Sequence, residues 1–429
     1  MDVFLHVGMA MRWMRYSAEI RRKESLMQLH LQFGYGMMEH CRALISQWNG
    51  GTAILSPRDL DNEQLERLAD GMNALPGGEC LLDPQFYLPH ADHERLCSHA
   101  YWPAEYETGA FFQGPALTKL LRELRQLNSR LRCSAFILPG LLAAVIDDDW
   151  LATQRAIVEE AKAKERDLPL IATIALSAEA AQDEEQIGRL LEDAPLWRTP
   201  AYYIVCEHPN GQYLVREPNW VANVIDLAAG LRLQGSKVIL GYCNHQMLIA
   251  ELAKVNAIAS GTWMNVRSFP PDKFKAPYDD EIKQRATWYY CPQALSEYKI
   301  PFLDIAKRQK ILPLMAPPPD LDGGFVAALF GGAQPSSVPF SEQAAFRHYL
   351  HCLRGQCASA TATSFDAAIA THERRLDDAE ALLQRLTPAG IRGQLRDFGE
   401  IVDVNRAAME LFKTLRGSVL RRRWAGLPV

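Results

Sequence analysis

From Leu29 to Thr262 the chain alternates between short apolar runs that end in polar or glycine residues and longer runs with helical spacing of apolar residues. LHLQFGYG leads into MMEHCRALISQW, and TAILSPRD into NEQLERLADGMNAL, with Asp59 placed to cap that helix. ECLLDPQFY is followed by a long connection, Leu88 to Pro115, and then ALTKLLRELRQLNSRL. CSAFILPG precedes WLATQRAIVEEAKAKERD, which Asp147, Asp148 and Asp149 open at its positive end. PLIATIALS precedes EEQIGRLLEDAPLW, and AYYIVCEHPNG precedes NWVANVIDLAAGLRLQG, with Gly235 as its C-terminal stop. KVILGYCN leads into a helix expected from about His245 to Val255, and NAIASGT is the eighth strand. The eight units are complete if the segment after Trp263 supplies the last helix.

The short runs are apolar on both faces, as parallel strands covered by helices must be. An open doubly wound sheet uses the same units but usually fewer of them. Eight units in roughly 250 residues predict an α/β fold of the (β/α)8 TIM barrel type. Pro- and Gly-rich stretches such as LMAPPPDLDGG and FGGAQPSSVPF mark a boundary, and from Ser341 the pattern is helical. The expected organisation is an N-terminal extension over 1–28, a barrel over 29–320 and a helical C-terminal appendage over 321–429. MDVFLHVGMAMRWMRYSAEIRRKESLM does not read as a signal peptide, and Met27 is an alternative natural start to Met1.

Net charge is −5 and the nine cysteines are dispersed, which predicts reduced thiols and a cytoplasmic location. No run of about 18 apolar residues predicts a membrane span. A mildly acidic average argues against a protein that coats nucleic acid, while leaving room for a local basic groove.

In a barrel the working residues stand at the C-terminal ends of the strands. Those positions hold Tyr35, Ser56, Asp83 with Gln85, Pro139, Ser177, Glu207, Asn244, and Ser260, Thr262, Asn265 and Arg267. Asp83 follows Cys80-Leu81-Leu82 and Glu207 follows Ile204-Val205-Cys206. A carboxylate just past a buried strand is partly desolvated, which raises its pKa and suits it to acid/base or nucleophilic work. The same position also suits a helix cap or an arginine partner. Asp83 and Glu207 are therefore the catalytic candidates, and Tyr35, Ser56, Gln85, Asn244, Ser260, Thr262, Asn265 and Arg267 the substrate-binding ones.

Neither a phosphate-binding glycine loop nor a nucleophile elbow is visible. His90, Asp92, His93, Cys97 and His99 form a loop cluster that matches no standard metal spacing. His348 and Cys352, four apart, share a helical face, and with Cys291 or Cys357 they are the candidate ligands for zinc, although the same face equally suits a core. Aromatic and cationic residues interleave from Trp263 to Tyr290, including Phe269, Lys273, Lys275, Tyr278, Lys283, Arg285 and Trp288. Such a mixture serves base stacking with phosphate neutralisation, or a covering loop with its own small core.

Taken together, the strand ends resemble the tRNA-guanine transglycosylase superfamily, TIM barrels that exchange a base at its glycosidic bond and whose DNA-acting relatives insert a 7-deazaguanine. Cys80-Leu81-Leu82-Asp83 is similar to the family's strand-three ending, and Val205-Cys206-Glu207 to its Val-Gly-Glu, with Gly241, Ser260 and Arg267 at corresponding places. The resemblance implies a glycosyltransferase acting on a nucleobase in DNA or tRNA, with Asp83 as the proton-handling or surrogate nucleophilic acid and Glu207 on the heterocycle. The family keeps its nucleophilic Asp at the end of strand eight, where this chain has Ala259-Ser260-Gly261, and its tight cysteine zinc run is absent here. The guanine-recognising Asp after strand four is replaced by Leu138-Pro139-Gly140. These departures imply the alternative of a diverged barrel that binds nucleic acid, or serves as a scaffold subunit in a system such as DNA modification or phage defence, with a protein partner on the C-terminal helices.

Overall fold

The computed structural model describes residues 27–90, 93–103, 114–164, 167–276 and 286–428. Most of the N-terminal extension, together with Asp92, Tyr278, Lys283 and Arg285, lies outside them. The expected strands form β1 (Gln28–Gln32), β2 (Gly51–Leu55), β3 (Gly78–Leu82), β4 (Phe136–Ile137), β5 (Leu142–Ala143), β6 (Leu170–Leu176), β7 (Ala201–Cys206), β8 (Lys237–Leu240) and β9 (Ala257–Ser260). All pair in parallel, in the order β3-β2-β1-β9-β8-β7-β6-β4, with β5 also on β6. The ring closes through β1 and β9, where His30 pairs with Ala259 and Leu31 with Ser260. Across the remaining seam Ser134 N donates to Cys80 O at 3.0 Å and Leu142 N to Tyr87 O at 2.9 Å. The chain is thus a (β/α)8 barrel.

Two sequence expectations are corrected at this level. The fourth strand is two short pieces, because Pro139 lacks an N–H and interrupts the ladder between them. Asp59 does not cap the following helix. Asp61 does, accepting from Gln64 N at 2.9 Å in a reciprocal capping box, while Asp59 accepts from Ser56 Oγ at 2.7 Å.

The outer ring begins with α1 (Met38–Trp48), α2 (Asn62–Asn73), α3 (Gly114–Leu131), α4 (Asp148–Lys164), α5 (Glu184–Trp197) and α6 (Pro218–Leu233). It then departs from the expected pattern. After β8 the chain makes a 3-10 segment over His245–Ala253 instead of an α-helix, and the described residues from β9 to 276 form 3-10 turns at Met264–Val266 and Pro271–Phe274. The C-terminal helices α7 (Glu342–Ser359), α8 (Phe365–Leu386) and α9 (Gly399–Arg423) lie against this part of the wall. Helix α7 packs on β1 and α1, α9 runs along α6, and α8 meets α9 and the 3-10 segment.

This placement explains two features of the sequence. Every residue of α6 from Trp220 to Arg232 is buried, since the helix is covered by the barrel on one side and α9 on another. Several polar contacts cross the junction. Arg416 grips Asp226 with two bonds of 2.6 and 2.9 Å, and Glu251 Oε1 takes His372 Nδ1 at 2.7 Å and Arg375 at 2.5 Å. A two-stranded antiparallel hairpin, β10 (Trp288–Cys291) and β11 (Ser296–Lys299), joins barrel to helices. Among the described residues no helix is long and apolar enough to cross a membrane.

Inside the ring, Tyr203 of β7 reaches across toward β1 and β3, and its hydroxyl donates to Gln32 Oε1 at 2.8 Å. Gly241 makes this possible, because a Cβ there would lie 2.5 Å from the Tyr203 hydroxyl oxygen. Replacing Gly241 by alanine is expected to cost about 1–3 kcal/mol of stability through overpacking. Denaturant unfolding checks this, and the loss should shrink when Tyr203 is also shortened to leucine.

Candidate functional site at the barrel mouth

Asp83 sits just past β3 and is 1% exposed. The Tyr87 hydroxyl lies 2.8 Å from both carboxylate oxygens, Tyr242 donates to Oδ2 at 2.9 Å, and Gln85 N donates to Oδ1 at 3.0 Å. Tyr203 approaches Oδ2 at 3.4 Å. Gln85, at φ 54°, turns its side chain to Ser56 Oγ and the Tyr242 hydroxyl, at 2.9 and 3.1 Å. Ser56, Asp83 and Gln85 are therefore brought together, as strand-end residues of neighbouring strands should be. The tyrosines that complete the network were not among the sequence candidates. Inward position on alternate strand residues would have pointed to Tyr203, whereas Tyr87 and Tyr242 lie in irregular loops where no period applies.

Burial raises the Asp83 pKa, and the hydrogen bonds from Tyr87, Gln85 and Tyr242 and the Lys273 charge offset this only in part. The phenols of Tyr87, Tyr203 and Tyr242 are all pushed well above their ordinary range, first by burial and then by Asp83, so they keep their protons as donors.

The segment after β9 is packed over this network. Phe269 lies 4.9 Å from Tyr87 and 5.2 Å from Tyr242, and Phe274 lies 5.1 Å from Tyr87. Lys273 Nζ stands 4.0 Å over the Tyr242 ring and donates to Asn265 O at 2.7 Å. Arg58 Nε holds the Lys273 carbonyl at 2.7 Å. Phe269, Lys273 and Phe274 are each no more than 1% exposed. This part of the aromatic and cationic stretch, Phe269 to Phe274, is thus a covering loop with its own small core.

Glu207 does not join Asp83. Its backbone bridges to Phe269, which also touches the tyrosines around Asp83, so Phe269 lies between the two acids. Its side chain is half-buried, with Oε2 accepting from Ala178 N at 3.3 Å. Burial raises its pKa, and the nearby Glu179 and Asp272 act in the same direction.

The remaining candidates form a second cluster or stand apart. Arg267 is 2% exposed, donates Nε to Gly261 O at 2.8 Å and NH1 to Glu297 Oε2 at 3.1 Å, and lies 3.5 Å over the Tyr349 ring. Arg396 reaches the same Glu297 oxygen at 2.8 Å and Tyr213 donates to its other oxygen at 2.8 Å. Ser260 lies against Tyr349. Asn244 caps the 3-10 segment through Gln246 N at 2.8 Å and donates to Tyr213 O at 2.6 Å. Thr262 is buried, with Oγ1 unpartnered among the described residues. Tyr35 is 70% exposed, and its carbonyl takes Trp263 Nε1 at 3.0 Å. Asn265 is half-buried.

The candidate zinc ligands are engaged otherwise. His348 Nε2 lies 2.8 Å from Tyr290 O, and Cys352, on the same face as expected, bonds Leu321 O at 3.4 Å and meets His348 Nδ1 at 3.5 Å. Cys291 bonds Met315 O at 3.7 Å, and Cys357 is buried with its thiol pKa pushed up by burial. In the loop cluster, His99 bridges Asn62 and Pro57 O at 3.1 and 2.9 Å. Among the described residues no three His, Cys, Asp or Glu side chains are grouped to hold a metal ion.

Two concave surfaces lie away from the barrel axis. A cleft of about 690 Å³ runs between Asn210–Arg216 and the 387–401 segment, with Met264 and the 78% exposed Leu395 in its lining. A groove of about 740 Å³ between α6 and α9 exposes Leu411 and Leu415.

No family model matches the chain, and neither does any curated protein. Among solved structures, it is similar to a Thermobacillus composti GH10 xylanase at 11% identity, with a TM-score of 0.36 over 58% of this chain and 90% of that one. It is also similar to the carboxyl transferase domain from Rhizobium etli pyruvate carboxylase, at 11% identity and a TM-score of 0.35 over 92% of this chain and 61% of that chain.

Proposed function

We propose that this chain is a catalytically diverged barrel that serves as a nucleic-acid-binding or scaffold subunit. The observation that carries the reading is the state of Asp83. Its carboxylate is taken up by two tyrosine hydroxyls and a backbone N–H, with a third tyrosine near, beneath the packed Phe269, Lys273 and Phe274. A carboxyl so engaged serves the core, since a catalytic acid or base must come within hydrogen-bond distance of the substrate atom to which it gives, or from which it takes, a proton. At the end of β9, where the resembling family keeps its nucleophile, Ser260 is fully buried. The concave cleft and the groove beside helix α9, with the exposed side chains of Leu395, Leu411 and Leu415, are the surfaces offered for such a role.

The test is incubation with labelled guanine, or a 7-deazaguanine, and either tRNA or duplex DNA. No base exchange is expected. Incorporation that is lost in Asp83→Asn would overturn the reading. Fluorescence anisotropy against the same nucleic acids at rising salt tests the binding half, where a falling affinity with increasing salt is expected.

A second reading, base exchange by a transglycosylase-like enzyme, is favoured by one observation. Burial raises the pKa of both Asp83 and Glu207, the direction that suits a carboxyl to acid/base work. In that case Phe269→Ala, which loosens the cover between the two acids, should raise the exchange rate.

A further inference from the structure

The opposite end of the barrel, where the strands begin, opens into a cavity of about 380 Å³. In barrels this end usually serves stability. A purely structural end would be packed with apolar side chains, and this one is lined by Gln28, His30, Thr52, Glu79, Lys237 and Asn256. His30 is only 8% exposed, and its Nδ1 is buried with no hydrogen-bond partner among the described residues. Burial lowers its pKa to about 4, so at neutral pH the ring is uncharged, with one nitrogen to donate and one to accept. An unpaired buried polar atom costs about 1–3 kcal/mol, which a ligand hydrogen bond recovers. Gln32, two residues further along the same strand face, leaves Nε2 in the same condition.

The charges at this rim have a definite arrangement. Glu79 stands on β3 and Lys237 on β8, and both are exposed. In the ring β2, β1 and β9 separate them on one side, and β4, β6 and β7 on the other. The two charges therefore face each other across the opening. Neither forms an ion pair among the described residues. Beside these polar groups the lining also has an apolar part, with Leu81, Ile171 and Ile239.

We propose that the N-terminal mouth of the barrel binds a small elongated zwitterion, with its carboxylate toward Lys237, its ammonium toward Glu79, its apolar stem across the opening and a polar group or bridging water at His30. A molecule with charge at both ends satisfies both rim residues at once, which a monovalent ligand of the same length does not. This site is independent of the one at the other mouth.

The experiment is titration calorimetry of the full chain with ε-aminohexanoate, and with hexanoate and hexylamine as singly charged controls. Saturable one-to-one binding of ε-aminohexanoate is expected, at least about tenfold tighter than either control. Lys237→Met and Glu79→Gln should each erase that preference. Both positions are exposed strand starts, and matching thermal unfolding confirms that the variants fold. His30→Leu should weaken binding while leaving the unfolding temperature unchanged or higher, since it removes an unpaired polar group. Absence of saturable heat with ε-aminohexanoate, equal affinity for the controls, or binding untouched by both charge substitutions would overturn the proposal.

Discussion

Replacing Glu297 by alanine is expected to cost about 3–5 kcal/mol of folding stability, the range for removing one partner of a buried ion pair. Glu297 is 3% exposed and takes Arg267 at 3.1 Å and Arg396 at 2.8 Å, with Tyr213 at 2.8 Å. Without it two guanidinium groups are left beside each other, and that of Arg267 is itself buried. The pH dependence follows from the same contacts. Burial alone would raise the Glu297 pKa, but Arg396, Arg267 and His245 outweigh it and hold the carboxyl at about 2, below its ordinary 4.5. A carboxylate depressed on folding stabilises the protein above its unfolded pKa and loses that contribution as pH falls through the folded one. Denaturant unfolding of the wild type and Glu297→Gln should therefore differ by a constant amount above pH 4.5, and the difference should shrink between pH 4.5 and about 2. The shift corresponds to about 3 kcal/mol at 1.36 kcal/mol per pKa unit, the same size as the expected mutational loss. A difference that does not change over this window would mean that Glu297 titrates alike in both states.

Asp83→Ala is the second large effect. It removes the acceptor shared by Tyr87, Tyr242 and Gln85 N, and leaves buried donors unpaired at about 1–3 kcal/mol each. A total loss of about 3 kcal/mol or more is expected by chemical denaturation. Asp83→Asn, which keeps an acceptor oxygen, should lose less. The pH dependence has the opposite sign to that of Glu297. Asp83 has a folded pKa raised above the ordinary 3.8, so its neutral form favours the folded state. That contribution is fully present below the unfolded pKa and is lost as pH rises through the folded one. Stability of the wild type relative to Asp83→Asn should thus fall as pH rises from about 4. A flat difference would show that the tyrosine hydrogen bonds cancel the effect of burial.

The barrel was legible in the sequence because its cause is local. Strands buried on both faces must be apolar, helices between them must be apolar on one face, and the alternation of LHLQFGYG with MMEHCRALISQW and its five successors states both conditions. The ring closure of β1 on β9 follows from the count. The replacement of the helix after β8 by a 3-10 segment was not legible. HQMLIAELA has helical spacing and yet folds as a 3-10 segment, because α8 and α9 pack against it and its Glu251 turns to His372 and Arg375 more than 100 residues away. The site divides in the same way. Asp83 and Glu207 could be placed at strand ends from sequence spacing, since the end of an apolar run marks the barrel mouth.

What each acid faces depended on residues distant in the chain. Tyr203 and Tyr242 reach Asp83 across separations of 120 and 159 residues, and Arg267 meets Glu297 across 30 and Glu297 meets Arg396 across 99. Strand ends are set by hydrophobic period and could be read one segment at a time. Whether a carboxylate there meets solvent, a tyrosine or an arginine is set by which loops converge, and only the folded chain decides that.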